Sequence, residues 1–321
     1  MLIWRMRMKR RIEEKIIDLM CSLRKQNIYY IEINGGMSGF FAMLRRTLDY
    51  ICYADELGML PYIVFTDNNL YAEKKRIRGT KNVFEYYFVQ PCNFNYPVLP
   101  WNTNVIKSNR CNSEEIELRY NKKQFSYIIE SSYINKMSYI YDKYISLSPY
   151  TEKYIKHFVN KKLNHKRTLG VHIRGTDFNK SFNNHPVPAS VDEYADRIQE
   201  GVTNYGFEQV FVATDDKRCL ADIKGKLKIP IVYFEDVMRV ESDKSVAFSR
   251  NNRKNDRYLL GLEVLRDVYT LAACNGFVGC LSQVDIFAQI IKKSRGKTYE
   301  YLQIIDNGVF LNEKDCWEPF R

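Results

Sequence analysis

Apolar residues recur three to four positions apart at Ile12, Ile16, Met20 and Leu23, a spacing that predicts an amphipathic helix over 9–25. The pattern then changes. YYIEI (29–33) reads as a strand, NGGMSG as a glycine turn, FFAMLRRTLDYICYADELG as a helix ending near Gly58, and PYIVF (61–65) as a second strand. A strand, turn, helix and strand in that order predict a parallel pair. Residues 67–125 are less regular and are punctuated by Pro91, Pro97 and Pro100. The stretch 142–167 predicts a helix led by SLSPYTEKYIKHF and then a polar hinge, KKLNHKR, where a domain boundary is expected.

The second half alternates more cleanly. Strand LGVHI is followed by a polar loop and a helix opening at Ser190, with Ser190 and Glu193 spaced as a capping box. Strand QVFVAT (209–214), a short helix, strand IVYFE (231–235), a basic loop over 239–257 and a helix over 258–274 come next. Strand GFVGC (276–280) and a helix over 282–293 complete the series. Alternation in both halves predicts an α/β, GT-B-like architecture, in which two Rossmann-like domains, 1–160 and 161–321, face a central cleft.

Composition narrows the class. At 45% hydrophobic and 27% charged residues the chain can bury a real core. There is no apolar run of 18 residues, so no spanning helix is expected. MLIWRMRMKRR lacks the apolar centre of a signal peptide. The eight cysteines include no CxxC pair, which suits reduced thiols and a cytoplasmic protein. A net charge of +11 fits charge spread over solvated faces, a phosphate-bearing substrate, or peripheral contact with the anionic inner face of a membrane. Zinc-finger spacing and RRM-type aromatics are absent, so nucleic acid is not the expected partner.

Ligands of open parallel sheets bind beyond the carboxyl ends of the strands, and four polar clusters fall there. In NGGMSG, Gly35 and Gly36 would let a backbone approach a phosphate or sugar, or form an ordinary tight turn. In HIRGTD, His172 and Arg174 share one face of a strand, and an arginine there can fork onto a diphosphate or pair with Asp177 to fix the loop. In ATDD, Thr214 and Asp215 could bond a ribose, while Asp216 could start a helix. In GCLSQVD, Ser282 would cap a helix whose N-terminus favours an anion.

HIRGTD, then ATDD, then LRDVYTLAACNGFVGCLSQ resembles the three-motif series of the fucosyltransferases that make α1,2, α1,6 and protein-O linkages, nodulation-type bacterial α1,6 enzymes included. The resemblance spans roughly 168–292, with NGGMSGFF as a further match. It implies a GT-B-like fold and inverting, metal-independent transfer from GDP-fucose, the donor substrate, to a glycan, with no cofactor. A bacterial cell-surface polysaccharide or lipopolysaccharide is the expected acceptor. Carried over, Arg174 holds the β-phosphate, His172 contacts the nucleotide, Asp267 reads guanine, and Ser282 and Gln283 lie near the phosphates. Two departures stand out. The α1,6 and α1,2 enzymes usually place a second arginine where this chain has Gly175, and the α1,6 enzymes place a glutamate in the loop that here reads NKSFNNHP. The alternatives are transfer from another GDP-sugar such as GDP-mannose, or binding of a sugar nucleotide without catalysis.

The chemistry that the resemblance implies also fits these residues. An oxocarbenium-like transition state leaves a diphosphate whose growing charge arginine and backbone N–H groups can meet. The sequence has no DxD. A base near the acceptor hydroxyl is also needed, and Asp177, His185 and Asp192 are the candidates in the polar loop.

Overall fold

A computed structural model describes residues 27–92, 104–108, 116, 119–120, 130–176, 184–243, 245–248 and 253–311. The helix expected over 9–25 and the candidate Asp177 lie outside them.

The first half contains β1 (Asn27–Ile33), α1 (Phe40–Glu56), β2 (Leu60–Phe65), β3 (Phe88–Val89), β4 (Asn104–Lys107), α2 (Ser131–Tyr144), β5 (Ser146–Leu147) and α3 (Pro149–Leu163). The second contains β6 (Thr168–Ile173), α4 (Val191–Tyr205), β7 (Gln209–Thr214), α5 (Lys217–Lys226), β8 (Ile231–Val232), α6 (Asp256–Ala273), β9 (Gly276–Cys280), α7 (Gln283–Ser294) and β10 (Tyr301–Ile305). Strands β2-β1-β4 form one parallel sheet, and β10-β9-β6-β7-β8 a second, also parallel.

Every residue of β6, β7 and β9 is buried, as expected of central strands covered on both faces. The register pairs His172 with Ala213 and Ile173 with Thr214, so β6 and β7 end level and hand their polar residues to one mouth. The helix starts are chemically fixed. Ser190 and Glu193 form the expected capping box on α4, Asp216 caps α5 through the Arg218 N–H, and Ser282 caps α7.

Aromatic side chains join the halves. The Phe41 ring lies 4.8 Å from that of Phe287, the Tyr141 and Tyr269 hydroxyls are 2.6 Å apart, and Tyr87 stacks on Tyr258 while donating to its carbonyl at 2.9 Å. One buried apolar cluster runs through both halves as a result.

Three elements differ from expectation. Residues 142–167 are the end of α2, the short β5 and then α3, because Ser148 and Pro149 restart a helix after a two-residue strand. The strand expected over 231–235 stops at Val232, since Phe234 and Asp236 are drawn to Arg266: the guanidinium sits 3.9 Å over the Phe234 ring and pairs with Asp236 at 2.7 Å. β10 extends the second sheet beyond the alternation in the sequence.

Gly261 shows how tightly the halves fit. A Cβ there would lie 2.2 Å from the Tyr87 hydroxyl. Gly261→Ala is therefore expected to cost about 1–3 kcal/mol, measured as a lower urea midpoint at unchanged slope.

Candidate functional site

The mouth of the second sheet is organised by Asp215, one residue past β7. Its carboxylate accepts from the Arg174 guanidinium, from the Thr176 hydroxyl at 3.0 Å and from the Gly175 N–H at 3.3 Å. Arg174 is thus held by Asp215. Thr176 is fully buried and left-handed, with φ of 54°, a conformation rare for a β-branched residue. Asp216 is also buried. Against the cost of burial, Arg218 holds its carboxyl below the usual range.

On the other side of β6, His172 meets Asp285 of α7, with Nδ1 2.8 Å from Oδ1. Asp285 is 1% exposed. Its second oxygen accepts from the Ser282 hydroxyl at 2.7 Å and from the Cys280 N–H at 3.1 Å. A Cβ at Gly279 would lie 2.7 Å from that carboxylate, so the glycine of this strand leaves room for it. Because Ser282, Gln283 and Val284 line the cavity, the first turn of α7 faces it, and a helix start suits an anion.

A third wall comes from α6. Glu263 and Asp267, four apart, both line the cavity. Burial raises the Glu263 carboxyl even though Arg253 clasps it. Burial likewise pushes Asp267 up to about 7, despite Arg266 and Arg239 nearby.

Residues of the first half close the cavity. Met37 to Ala42 and Tyr71 line it, and the Tyr71 hydroxyl accepts the Phe40 N–H at 2.9 Å where α1 begins. The cavity volume is about 350 Å³. Gly35 and Gly36 stand one step back from this wall. Gly36 has φ of 52° and donates to Asn68 at 2.7 Å, and a Cβ on Gly35 would lie 2.3 Å from Met43 Sδ.

His172, Arg174, His185, Thr214, Asp215, Asp267, Ser282 and Gln283 all line this one cavity. Asp192 instead pairs with Lys226 on an exposed face. Asp285 and Glu263 escaped the sequence analysis. Asp285 reads there as an ordinary residue of a helix's first turn, and Glu263 as one more charge. The i,i+4 spacing of Glu263 and Asp267 is the signal that was available.

No protein-family model matches the sequence, and no curated protein does. Solved structures are similar in fold. NodZ α1,6-fucosyltransferase soaked with GDP-fucose matches with a TM-score of 0.50 at 14% identity, over 83% of this chain and 93% of that one. Fucosyltransferase NodZ from Bradyrhizobium gives 0.50 at 15% identity over the same shares. The chain has a GT-B fold. POFUT1 in complex with GDP matches at 0.48 and 14% identity, over 87% and 98%. The cavity described above draws its walls from both halves of the chain.

Asp267 gives this cleft a pH signature. An acid whose folded pKa is raised contributes stability that is complete below its unfolded value near 3.9 and is lost as pH rises through about 7. Asp267→Asn does not titrate. Its melting temperature is expected to gain on wild type progressively between pH 4 and 7.5 in the absence of ligand, measured by differential scanning calorimetry across that range.

Proposed function

We propose that the chain is an inverting, metal-independent glycosyltransferase that moves fucose from GDP-fucose to a glycan hydroxyl. One observation carries this reading: a single cavity holds donors suited to a diphosphate (Arg174, His172 and the start of α7) together with a half-buried carboxylate on α6, Asp267. A carboxylate accepts from guanine N1–H and its 2-amino group at once, and adenine and uracil offer no such pair.

In the proposed mechanism Arg174, oriented by Asp215, takes the growing charge of the leaving diphosphate, and the N–H groups of α7 assist. Ser282 and Gln283 lie beside the phosphates, and Thr214 beside the ribose. His185, held on the wall by the bond from the Phe310 N–H to its carbonyl, is a base candidate, with Asp177 the other. The second half binds the donor and the first half presents the acceptor, a bacterial cell-surface polysaccharide or lipopolysaccharide. The resemblance of the motif series and the NodZ-like fold support this division.

The test is release of GDP from GDP-fucose in excess chelator, with and without a panel of glycan acceptors, and with GDP-mannose as comparator. Acceptor-dependent release from GDP-fucose is expected. A strict need for Mg²⁺ or Mn²⁺ would count against the mechanism, and binding without turnover would favour a sugar-nucleotide-binding protein. Arg174→Ala is expected to lower turnover about 10²–10³-fold while the protein stays folded. Arg174→Lys will not restore it, since an ammonium lacks the planar fork. Retention of half the activity by either variant would remove Arg174 from the site. Asp267→Asn is expected to weaken GDP binding by about 1.5–3 kcal/mol, and equal calorimetric affinities for the two proteins would remove Asp267 from guanine recognition.

A further inference from the structure

The His172–Asp285 pair is built atom by atom. The two oxygens of the buried carboxylate have separate duties. Oδ2 takes the Ser282 hydroxyl and the Cys280 N–H, both of which hold the β9–α7 turn. Oδ1 takes only the imidazole among these groups, at 2.8 Å. The Ser282 oxygen lies 3.5 Å from Nδ1 but donates its hydrogen over the shorter 2.7 Å to Asp285. With Asp285 as a carboxylate, which can only accept, this contact calls for the proton on Nδ1.

We propose that Asp285 is a positioning residue that fixes His172 as the Nδ1–H tautomer, so that Nε2 faces the cavity as a proton acceptor and His172 becomes an imidazolium when an anionic ligand arrives. The balance is simple: Nε2 gains one proton from solvent, no other bond changes, and the cation lies between Asp285 and the ligand. Asp285 from α7 bonds the ring, and among the described residues Arg174 from the end of β6, Asp215 past β7, and Glu263 and Asp267 from α6 are the charged groups that share its cavity. The contact with an anion rests on the nucleoside diphosphate proposed above. The tautomer does not.

Site-resolved ¹⁵N imidazole NMR tests both parts. The chain has only four histidines, His157, His165, His172 and His185, and His172→Asn identifies the signal. At pH 8 the free wild type is expected to show His172 protonated on Nδ1 alone. In Asp285→Asn the amide oxygen can keep the Cys280 and Ser282 donors while the amide nitrogen donates to Nδ1, so the proton moves to Nε2. With saturating GDP, wild-type His172 is expected to be protonated on both nitrogens, and the variant on Nε2 alone. An Nε2–H tautomer in the free wild type overturns the proposal without need of any variant, and so does an unchanged tautomer in a folded Asp285→Asn. If the tautomer switches as expected but GDP leaves His172 unaltered, the anion contact falls and the positioning role of Asp285 stands.

Discussion

The carboxylate of Asp215 is the interaction on which the cavity mouth depends. Parallel strands β6 and β7 end level, so the chain leaving β6 must turn away with several backbone and side-chain donors inside a crowded space. Buried donors without acceptors are costly, by roughly 1–3 kcal/mol each. Asp215 supplies acceptors to three successive residues, Arg174, Gly175 and Thr176, and so holds Thr176 in a left-handed conformation it would otherwise avoid. The same bonds aim the guanidinium. Positioning of Arg174 and closure of the turn are one event.

Helix α6 shows the same economy. Its residues Glu263 and Asp267 face the cavity, while Arg266, fully buried, turns toward α3. There it bonds the Tyr154 hydroxyl at 2.9 Å and Asp236, beneath the Phe234 ring. A buried guanidinium is tolerable only when paired and hydrogen-bonded, and these contacts give both terminal nitrogens partners while locking the rotation of α6. With that rotation fixed by Arg266 and by the stack of Tyr87 on Tyr258, the two carboxyls that flank Arg266 on the helix stay aimed into the cleft despite the cost of burying them.

The central strands and their helices were legible in the sequence because local and global preferences agree there. QVFVAT and GFVGC are apolar runs bounded by turn residues, and Ser190 with Glu193 is a local cap. The candidates at strand ends were legible for a topological reason: residues one step past β6, β7 and β9 must converge. Legibility failed where distant contacts decide. Val232 ends β8 because Arg266, far along the chain, takes Phe234 and Asp236. Asp285 looks like a capping residue until the fold brings His172 to it across 113 positions. Gly35 and Gly36 read in the sequence either as ligand-facing glycines or as an ordinary tight turn. Packing against Met43 and Asn69 accounts for Gly35, and a positive φ for Gly36.

Gly175 ties these points together. A Cβ at this position would lie 2.5 Å from the Cβ of Asp216, which is itself fixed by capping α5 and by Arg218. Any side chain at 175 would therefore press on residue 216, and a second arginine beside Arg174 has no room in this turn. The consequence is electrostatic. Among the described residues, Arg174 is matched by Asp215, and Arg218 is engaged by Asp216 and Asp243 away from the cavity, so each of these two cations is paired with a carboxylate. On the proposed reading, Arg174 aimed by Asp215, the first turn of α7 and the His172–Asp285 pair together meet the diphosphate. On that reading, the directed dipoles at the start of α7 take the place of a second fixed guanidinium, and the mouth favours an anion without burying two unmatched cations.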